Sequence, residues 1–366
     1  MKNEHLVQQC RSLVPLGTLR EHHLLSVLDD ASEVTACKGD TLFTQKEAPE
    51  SLFYLLSGEI LLKHKEGNER IITADFHWLP IVQFQSEQFS ALALTDCELL
   101  KLDRYKLDNL LTWSQVADYL EIDISYDRKF DEDAGWMTTI LNSNLFYKIP
   151  PLNVISIYER VSAIEVKKGD VIIHQGDHGD YCYFIKDGKA QVLLSDSKKV
   201  ETPLAEIGLG RCFGEDALIK GTTRNASVKM LSDGILMRLH KDDFMQLLQE
   251  PSVEHVSVNT LESFKNKDFE FLDVRTQEEF DYKHIKNAIH IPLTLLRLKI
   301  RMLDPEKHYF IYCNTGSRSG ATAFLLKNKG YKVSVLEDGL GAINESQVSS
   351  MLVSELDMIY QMASSH

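Results

Sequence analysis

One stretch near the middle of the chain combines glycines, an acid and an arginine at spacings that could hold a sugar phosphate. Residues 208–228 open with three glycines, Gly208, Gly210 and Gly214. Glu215 follows directly, and Arg224 comes later between small polar residues. Glycine lets the backbone come close to a ligand, helix-start N–H groups attract an anion, and an arginine fork can hold two phosphate oxygens. An acidic side chain does not bind a phosphate, but it can accept a hydrogen bond from a sugar hydroxyl. The stretch therefore predicts a sugar-phosphate site, and the alternative is a surface loop with a solvated arginine.

The same residues carry a family resemblance. The segments Phe213-Gly-Glu-Asp-Ala-Leu218 and Arg224-Asn-Ala-Ser-Val228 resemble the phosphate-binding cassette of cyclic nucleotide-binding domains. The resemblance implies that Glu215 takes the ribose 2′-hydroxyl, that Arg224 takes the cyclic phosphate, and that a cyclic nucleotide is a regulatory ligand with no cofactor required. We favour cAMP over cGMP, although Asn225 does not discriminate between them. The remaining positions implied to line the site are Gly214, Ala217, Asn225, Ala226 and Ser227.

A second candidate for chemistry is Cys313 in the last third of the chain. It ends the apolar stretch Tyr309–Tyr312, which predicts a strand, and it precedes a loop, Asn314–Ser319, that leads into a predicted helix. Loop and helix N–H groups would stabilise a thiolate there, and Arg318 would add an anion clamp. The combination predicts an activated nucleophile in an anion cradle, and the alternative is a buried, inert cysteine at a strand end.

The surrounding motifs resemble a rhodanese domain over about residues 255–345. They are Leu272-Asp-Val-Arg-Thr276 with Glu279-Phe280, His284-Ile285, Asn287-Ala288, Ile291-Pro292 and Tyr312-Cys-Asn-Thr-Gly-Ser-Arg-Ser-Gly320. The resemblance implies that Cys313 carries a persulfide between an anionic sulfur donor and a thiol acceptor, and that Arg318 binds the donor. It implies that Asp273 and Arg275 support the site. The loop residues implied to hold the transferred sulfur and the anion are Asn314, Thr315, Gly316, Ser317 and Ser319.

Loop length separates sulfur chemistry from phosphate chemistry. Phosphatases of related shape use Cys-x5-Arg, whereas Cys313 and Arg318 are one residue closer, which is the rhodanese length. A phosphatase is therefore the minor alternative. Lys283 and Asn287 stand where the family usually has glycine. These departures affect the expected geometry of local turns more than the expected catalysis.

The first third of the chain repeats the second. Lys38-Gly-Asp40 corresponds to Lys168-Gly-Asp170, and Asp96–Leu102 corresponds to Asp233–Leu239. The spacing between the copies grows by seven residues from the first pair to the second, so the first copy is shortened in the cassette region. Glu87 stands where the second copy has Arg224, and an acid would repel a phosphate. We therefore predict that the first copy has lost nucleotide binding and serves as a dimer surface or as a docking surface for the second copy.

These patterns predict a multidomain fold. Two β jelly-roll barrels with flanking helices are followed by an α/β rhodanese domain with a parallel sheet, because its strands alternate with helices. We call residues 8–115 domain one, residues 137–250 domain two and residues 255–345 the C-terminal domain, and we predict an amphipathic helix in the tail, residues 346–366. An acidic, poorly periodic link is predicted at residues 115–138.

Composition excludes several classes of protein. A net charge of −14 over 366 residues argues against a nucleic-acid partner, which needs a basic face. The six cysteines are scattered, and His174 and His178 lie among turn residues, so no metal site is predicted. No signal core or membrane-length apolar run is evident, which predicts a cytoplasmic protein that does not contact membranes. Tandem domains are compatible with a homodimer.

The functional prediction is a cyclic nucleotide-regulated sulfurtransferase. Nucleotide would close the cassette, shift the helix near residues 241–249 and reposition the C-terminal domain. Two alternatives stay open: a non-enzymatic sensor whose C-terminal domain binds a persulfide or a protein, and a scaffold whose second barrel is also empty.

Overall fold

The structure is a computed structural model of the chain. It describes residues 4–44, 51–76, 78–82, 88–126, 153, 157, 160–196, 200–248, 253–264, 268–343 and 351–353. The chain divides into two compact units, one formed by residues 1–119 together with 253–366 and the other by residues 120–252. Domain one and the C-terminal domain thus share one unit. Of the described helices, none is both long enough and apolar enough to cross a lipid bilayer.

The described residues of domain one form two antiparallel sheets and three α-helices. Its helices are α1 (Glu4–Arg11), α2 (Glu21–Asp29) and α3 (Arg104–Tyr126), and its strands are β1 (Ser32–Ala36), β2 (Thr41–Phe43), β3 (Ser51–Ser57), β4 (Glu59–His64), β5 (Glu69–Thr73), β6 (Phe89–Ala93) and β7 (Cys97–Asp103). The sheet orders are β1-β7-β3 and β2-β6-β4-β5. Apolar side chains from all three helices pack with β3 and β7 in one core that includes Leu24, Leu100 and Leu107. This packing fixes the start of α3 on the barrel.

Domain two has the same topology with one more strand. Its strands are β8 (Ser162–Val166), β9 (Val171–Ile173), β10 (Tyr181–Asp187), β11 (Ala190–Ser195), β12 (Glu201–Ile207), β13 (Cys212–Phe213), β14 (Ser227–Met230) and β15 (Gly234–His240), and its described helices include α4 (Glu215–Lys220) and α5 (Lys241–Leu247). The sheet orders are β13-β10-β15-β8 and β12-β11-β14-β9.

The predicted repeat is confirmed by strand correspondence. β8 begins 130 positions after β1, whereas β15 begins 137 positions after β7. In the described part of domain one no strand corresponds to β13, and the missing residues fall where the cassette of domain two lies. Glu87, which the sequence aligns with Arg224, lies outside the described residues.

The C-terminal domain is organised by an all-parallel sheet of order β16-β21-β20-β17-β19. Its strands are β16 (His255–Val256), β17 (Phe269–Asp273), β18 (His284–Ile285), β19 (Ile289–His290), β20 (His308–Tyr312), β21 (Lys332–Leu336) and β22 (Leu352–Val353), and its helices are α6 (Gln277–Tyr282), α7 (Leu296–Lys299) and α8 (Ser317–Asn328). β20 is the central strand and is buried from Tyr309 to Tyr312. Parallel sheets bind ligands beyond the carboxyl ends of their strands, and Cys313 lies at that end of β20.

Two local predictions differ from the structure. The acidic link was predicted from residue 115, but α3 passes this point and ends at Tyr126. Val116, Ala117 and Leu120 still bury an apolar face there. The tail was predicted to be helical, but Leu352 and Val353 form β22, which pairs antiparallel with β18. Strand pairing overrides the helical apolar spacing there. The rest of the tail and the helix predicted near residues 137–143 lie outside the described residues.

Candidate functional site

The thiol of Cys313 lies inside a short loop between β20 and α8. Its Sγ accepts a hydrogen bond from the backbone N–H of Gly316 at 3.1 Å and lies 3.5 Å from Oγ of Ser319. The Ser319 hydroxyl also donates to the carbonyl of Gly316 at 3.0 Å. Gly316 has a φ of 110°, a left-handed conformation that favours glycine and that turns its N–H back toward the sulfur. The loop therefore directs a backbone donor at Sγ, as the sequence predicted.

The carbonyl side of Cys313 is held by a separate turn. The N–H of Leu340 donates to the carbonyl of Cys313 at 3.0 Å. Gly339 has a φ of 54°, and a Cβ at this position would lie 2.1 Å from that same carbonyl oxygen. Close approach of the two backbones therefore requires glycine at position 339.

Asp273 and Arg275 form the base of the site. Both are fully buried, and Arg275 donates from Nε to Oδ1 of Asp273 at 3.0 Å and from Nη2 to Oδ2 at 2.7 Å. The other guanidinium nitrogen, Nη1, donates to Oδ1 of Asn314 at 3.2 Å. The pair thus anchors the first residue of the loop, and its supporting role in the chemistry stays a prediction.

Glu279 connects this base to Arg318. The helix α6 begins with a capping box in which Thr276 and Glu279 exchange hydrogen bonds, and this places the Glu279 carboxylate beneath the loop. Arg318 donates to both carboxylate oxygens, from Nη1 at 2.7 Å and from Nη2 at 2.9 Å, and Asn314 donates to Oε1 at 2.7 Å. Burial alone would raise the pKa of Glu279, but Arg318 and its hydrogen bonds lower that pKa from 4.5 to about 2. The carboxylate is therefore ionised at neutral pH.

A carboxylate from domain one completes the surroundings of Arg318. Asp108, near the start of α3, accepts a hydrogen bond on Oδ1 from Nε of Arg318 at 3.2 Å and one on Oδ2 from the Thr315 hydroxyl. Asp108 is 4% exposed, and Arg318 has no exposed surface. Burial would lower the pKa of Arg318, but the two carboxylates hold that pKa well above its ordinary value. The guanidinium is thus a permanent cation shared between two acids.

The structure brings together the site residues that the sequence singled out in the C-terminal domain. Cys313, Gly316 and Ser319 form one hydrogen-bonded group. Asn314, Thr315 and Arg318 are joined to Asp273 and Arg275 through Glu279 and Asp108. Ser317 is exposed at the first turn of α8. Sequence reasoning missed two participants. Glu279 was part of a recognised motif without a role, and Asp108 had no signal in the sequence, since it is separated from Arg318 by 210 positions.

In domain two, Arg224 lies against the loop that the sequence assigned to a phosphate. Its guanidinium donates to the carbonyl of Gly214 and, at 2.6 Å, to the carbonyl of Tyr181. Its backbone is held by Asp177 and Gly176, which it contacts through hydrogen bonds of 2.8 Å each. Arg224 is 6% exposed. The arginine is therefore fixed at the start of α4, where the cassette turns.

The other cassette positions differ in their burial. Glu215 is buried in the first turn of α4, directly after Gly214, which has a φ of 85°. Ser227 is buried and accepts a hydrogen bond from the N–H of Gln175 at 2.9 Å. Asn225 is exposed, whereas Ala217 is buried and Ala226 is half-buried. A position that the sequence did not single out is Gly179, where an added Cβ would lie 2.1 Å from the guanidinium carbon of Arg224.

Comparisons with known families agree with these geometries. The family described as the cyclic nucleotide-binding domain matches residues 33–112 and again residues 163–251. The family described as the rhodanese-like domain matches residues 257–346. The chain contains two cyclic nucleotide-binding domains followed by a rhodanese-like domain. The C-terminal domain is called the rhodanese domain from here on.

The curated relatives and solved structures match part of the chain. A cAMP-dependent protein kinase regulatory subunit from Yarrowia lipolytica is 25% identical over 251 residues, which are 66% of this chain and 60% of the relative. A cGMP-dependent protein kinase from Plasmodium berghei is 31% identical over 132 residues, 36% of this chain and 15% of the relative. Among solved structures, the regulatory subunit of a cAMP-independent protein kinase A from Trypanosoma brucei is 18% identical, with a TM-score of 0.30, covering 68% of this chain and 89% of that one. This chain thus spans less than two thirds of these two curated relatives.

Proposed function

We propose that this protein is a cytoplasmic, cyclic nucleotide-regulated sulfurtransferase in which Cys313 carries the sulfur. The observation that supports this most directly is the Gly316 N–H that donates to Sγ of Cys313 at 3.1 Å. A backbone donor at a helix start stabilises a thiolate, and the thiolate is the nucleophilic form of cysteine. The adjacent Ser319 hydroxyl gives the sulfur a second polar neighbour.

The proposed reaction has two steps with thiosulfate as the test donor. In the first step the Cys313 thiolate attacks the outer sulfur of thiosulfate, a new S–S bond forms, and sulfite leaves with the electron pair of the broken S–S bond. In the second step a thiolate acceptor, or cyanide in an assay, attacks the terminal sulfur of the persulfide, and the Cys313 thiolate leaves. No external oxidant or reductant is needed, because sulfane sulfur is only passed on.

The donor's negative charge is the reason that a cation is needed beside Cys313. Arg318 is the fixed cation of the loop, oriented from below by Glu279. The proposal is that the donor anion approaches the loop N–H groups and Arg318 from the side opposite Glu279. Preorganised donors of this kind stabilise charge without reorganisation at the moment of reaction.

Regulation is proposed to come from domain two. Glu215 would accept the ribose hydroxyl and Arg224 would bind the cyclic phosphate, which suits a guanidinium that is already held at the start of α4. We favour cAMP, but the relatives include proteins named for cAMP and for cGMP, so both nucleotides belong in the test. A homodimer is part of this proposal, and sedimentation equilibrium of the full chain tests it.

A second candidate function is a non-enzymatic nucleotide sensor that uses the rhodanese domain for binding. The observation that favours it is that Cys313 and Arg318 have no exposed surface, and that Arg318 is already paired with two carboxylates. In that case nucleotide would control assembly and not turnover.

Turnover separates the two functions. Thiosulfate:cyanide sulfurtransferase activity, measured as thiocyanate release, is expected in the full chain and is expected to disappear in Cys313→Ser. Cys37→Ser is the matched control, because it removes an exposed thiol from domain one. Absence of turnover with thiosulfate and with a low-molecular-weight persulfide, in folded protein, would leave the sensor as the function.

Calorimetric titration with cAMP and with cGMP tests the nucleotide half. Binding is expected in the full chain and is expected to be lost in Arg224→Ala. Lys229→Ala, an exposed cation on β14, is the control for a general loss of positive charge. If neither nucleotide gives heat in folded protein, both barrels are scaffolding and only the rhodanese half of the proposal stands.

A further inference from the structure

The start of α3 from domain one lies on the catalytic loop of the rhodanese domain. A small cleft lies between them, and its walls come from both domains. Leu107, Asp108 and Leu111 of α3 line one side, and Thr315 and Arg318 of the loop line the other. Domain one therefore forms one wall of the cleft beside the loop.

Asp108 makes its contacts with the polar groups of the loop that face this cleft. One carboxylate oxygen accepts from the Thr315 hydroxyl and the other from Nε of Arg318. These are the groups that, under the proposed function, receive an anionic donor. A carboxylate bound to them mimics a bound anion and repels a second one, because two like charges in a poorly solvated site raise each other's energy.

The burial of Asp108 has a physical cost that its contacts offset. An ionised carboxylate that is 4% exposed is strongly destabilised unless it is paired and hydrogen-bonded. Its partners are on the rhodanese domain, so the contact ties α3 to the loop. Cys313, in the same loop, has no exposed surface. The fold thus holds the nucleophile in a closed arrangement.

We propose that Asp108 is a built-in inhibitor of the rhodanese domain, occupying the anion position of the loop and closing access to Cys313 until α3 moves away. The proposal rests on the proposed sulfurtransferase function of Cys313. Under this proposal domain one covers the active site of the rhodanese domain, a role that the shortened cassette region of domain one does not suggest. Sulfur donors that are small anions compete directly with the Asp108 carboxylate.

Two measurements on the full chain test this inhibitor. The first is the rate at which iodoacetamide alkylates Cys313, followed by mass spectrometry of the peptide that contains it. The second is kcat/KM with thiosulfate. Asp108→Ala is expected to raise both by about tenfold or more, since a hydrogen bond to a charged group is lost. Asp108→Asn, which keeps the side-chain shape, is expected to raise both by a smaller factor and covers the case in which the alanine variant does not fold.

Asp118→Asn is the matched control. It removes the same charge from the same helix, at a site where the carboxylate pairs with Arg20 within domain one. It is expected to change neither rate by more than about twofold, the effect of a surface ion pair. Unchanged alkylation in folded Asp108→Ala and Asp108→Asn overturns the inhibitor. Faster alkylation without turnover in any variant supports the inhibitor and overturns the sulfurtransferase.

Discussion

Arg318 and Glu279 form a fully buried, two-pronged ion pair, with N–O distances of 2.7 Å and 2.9 Å. The pair joins the end of the loop Asn314–Ser319 to the capping box of α6. Because Asn314 also donates to Glu279, a single carboxylate fixes both ends of the loop. The position of Sγ at Cys313 depends on this carboxylate, although Glu279 does not contact the sulfur in the described contacts.

Replacing Glu279 by alanine is expected to destabilise the protein strongly. Removing one partner of a buried ion pair leaves the other charge uncompensated and costs about 3–5 kcal/mol of unfolding free energy. Urea unfolding followed by tryptophan fluorescence measures the change, with Glu278→Ala, an exposed neighbour on the same helix, as control. A loss as small as that of the control would mean that Arg318 finds another acid, and that Glu279 does not position the loop.

The shifted pKa of His23 predicts a loss of stability in mild acid. His23 is buried in α2, and its Nδ1 has no hydrogen-bond partner among the described residues. Burial, together with His22 and Arg20, lowers its pKa from 6.5 to about 3. Between these pH values the unfolded chain binds one more proton than the folded chain. The unfolding free energy therefore falls below pH 6.5, by up to about 1.4 kcal/mol per pH unit.

The measurement is the urea midpoint of unfolding at pH 7.5 and at pH 5. His23→Leu is expected to reduce the difference between the two midpoints. His5→Leu, an exposed histidine of α1, is expected to leave it unchanged. If both variants keep the same pH dependence as the parent, the protonation of another group controls it.

Gly339→Ala is expected to distort the loop that follows Cys313. The new Cβ would lie 2.1 Å from the carbonyl oxygen of Cys313, a backbone atom that cannot move without shifting the cysteine. The control is Gly330→Ala, which also has a positive φ, 89°, but has no atom within 4 Å of the added Cβ. Both variants carry left-handed strain of about 1–2 kcal/mol, so the difference between them isolates the clash. Sulfurtransferase activity is expected to fall at least several-fold more in Gly339→Ala, and equal losses would contradict this account.

The sequence was sufficient for the parts of the site that are close along the chain. The thiol, the loop and the cation lie within Cys313–Arg318, and their spacing predicts the cradle directly. The two carboxylates on Arg318 could not be predicted in this way, because they come from 39 and 210 positions away and depend on packing between domains. Nothing in the helical pattern of α3 distinguishes Asp108 from a solvated acid.

Prediction of the fold from the sequence has the same limit: local patterns are predicted, and long-range pairing is not. The repeat of the barrels and the alternation of the rhodanese domain follow from local patterns, which the structure confirms. The tail has apolar residues at helical spacing, yet Leu352 and Val353 pair with β18. Hydrogen bonding to β18 favours the strand conformation, and the sequence of the tail itself contains no information about that pairing.

Gly179→Ala is expected to weaken nucleotide binding without unfolding domain two. The added Cβ would meet the end of the Arg224 side chain, 2.1 Å from the guanidinium carbon. A flexible side chain can move away at little cost, so the variant is expected to fold, but Arg224 would leave its place beside Gly214. We expect the affinity for the cyclic nucleotide to fall about tenfold or more, the worth of a charge-assisted hydrogen bond.

Calorimetric titration measures that affinity, with thermal unfolding as the test of folding. Gly221→Ala is the control, since its φ of 63° gives strain without any atom within 4 Å of the new Cβ. Unchanged affinity in Gly179→Ala would mean that the bound nucleotide does not use Arg224 in the position seen here.

Nucleotide binding to domain two is expected to relieve the inhibition by Asp108. If nucleotide binding favours a state in which α3 has left the loop, cyclic nucleotide will raise the alkylation rate of Cys313 in the parent protein. A ligand shifts such an equilibrium only by its difference in affinity for the two states. The increase must therefore vanish in Arg224→Ala, which lacks the binding, and in Asp108→Ala, where the loop is already open. If the parent protein binds nucleotide but its alkylation rate does not change, nucleotide binding does not move α3. Asp108 would then inhibit the rhodanese domain whether or not nucleotide is bound, and domain two would regulate something else.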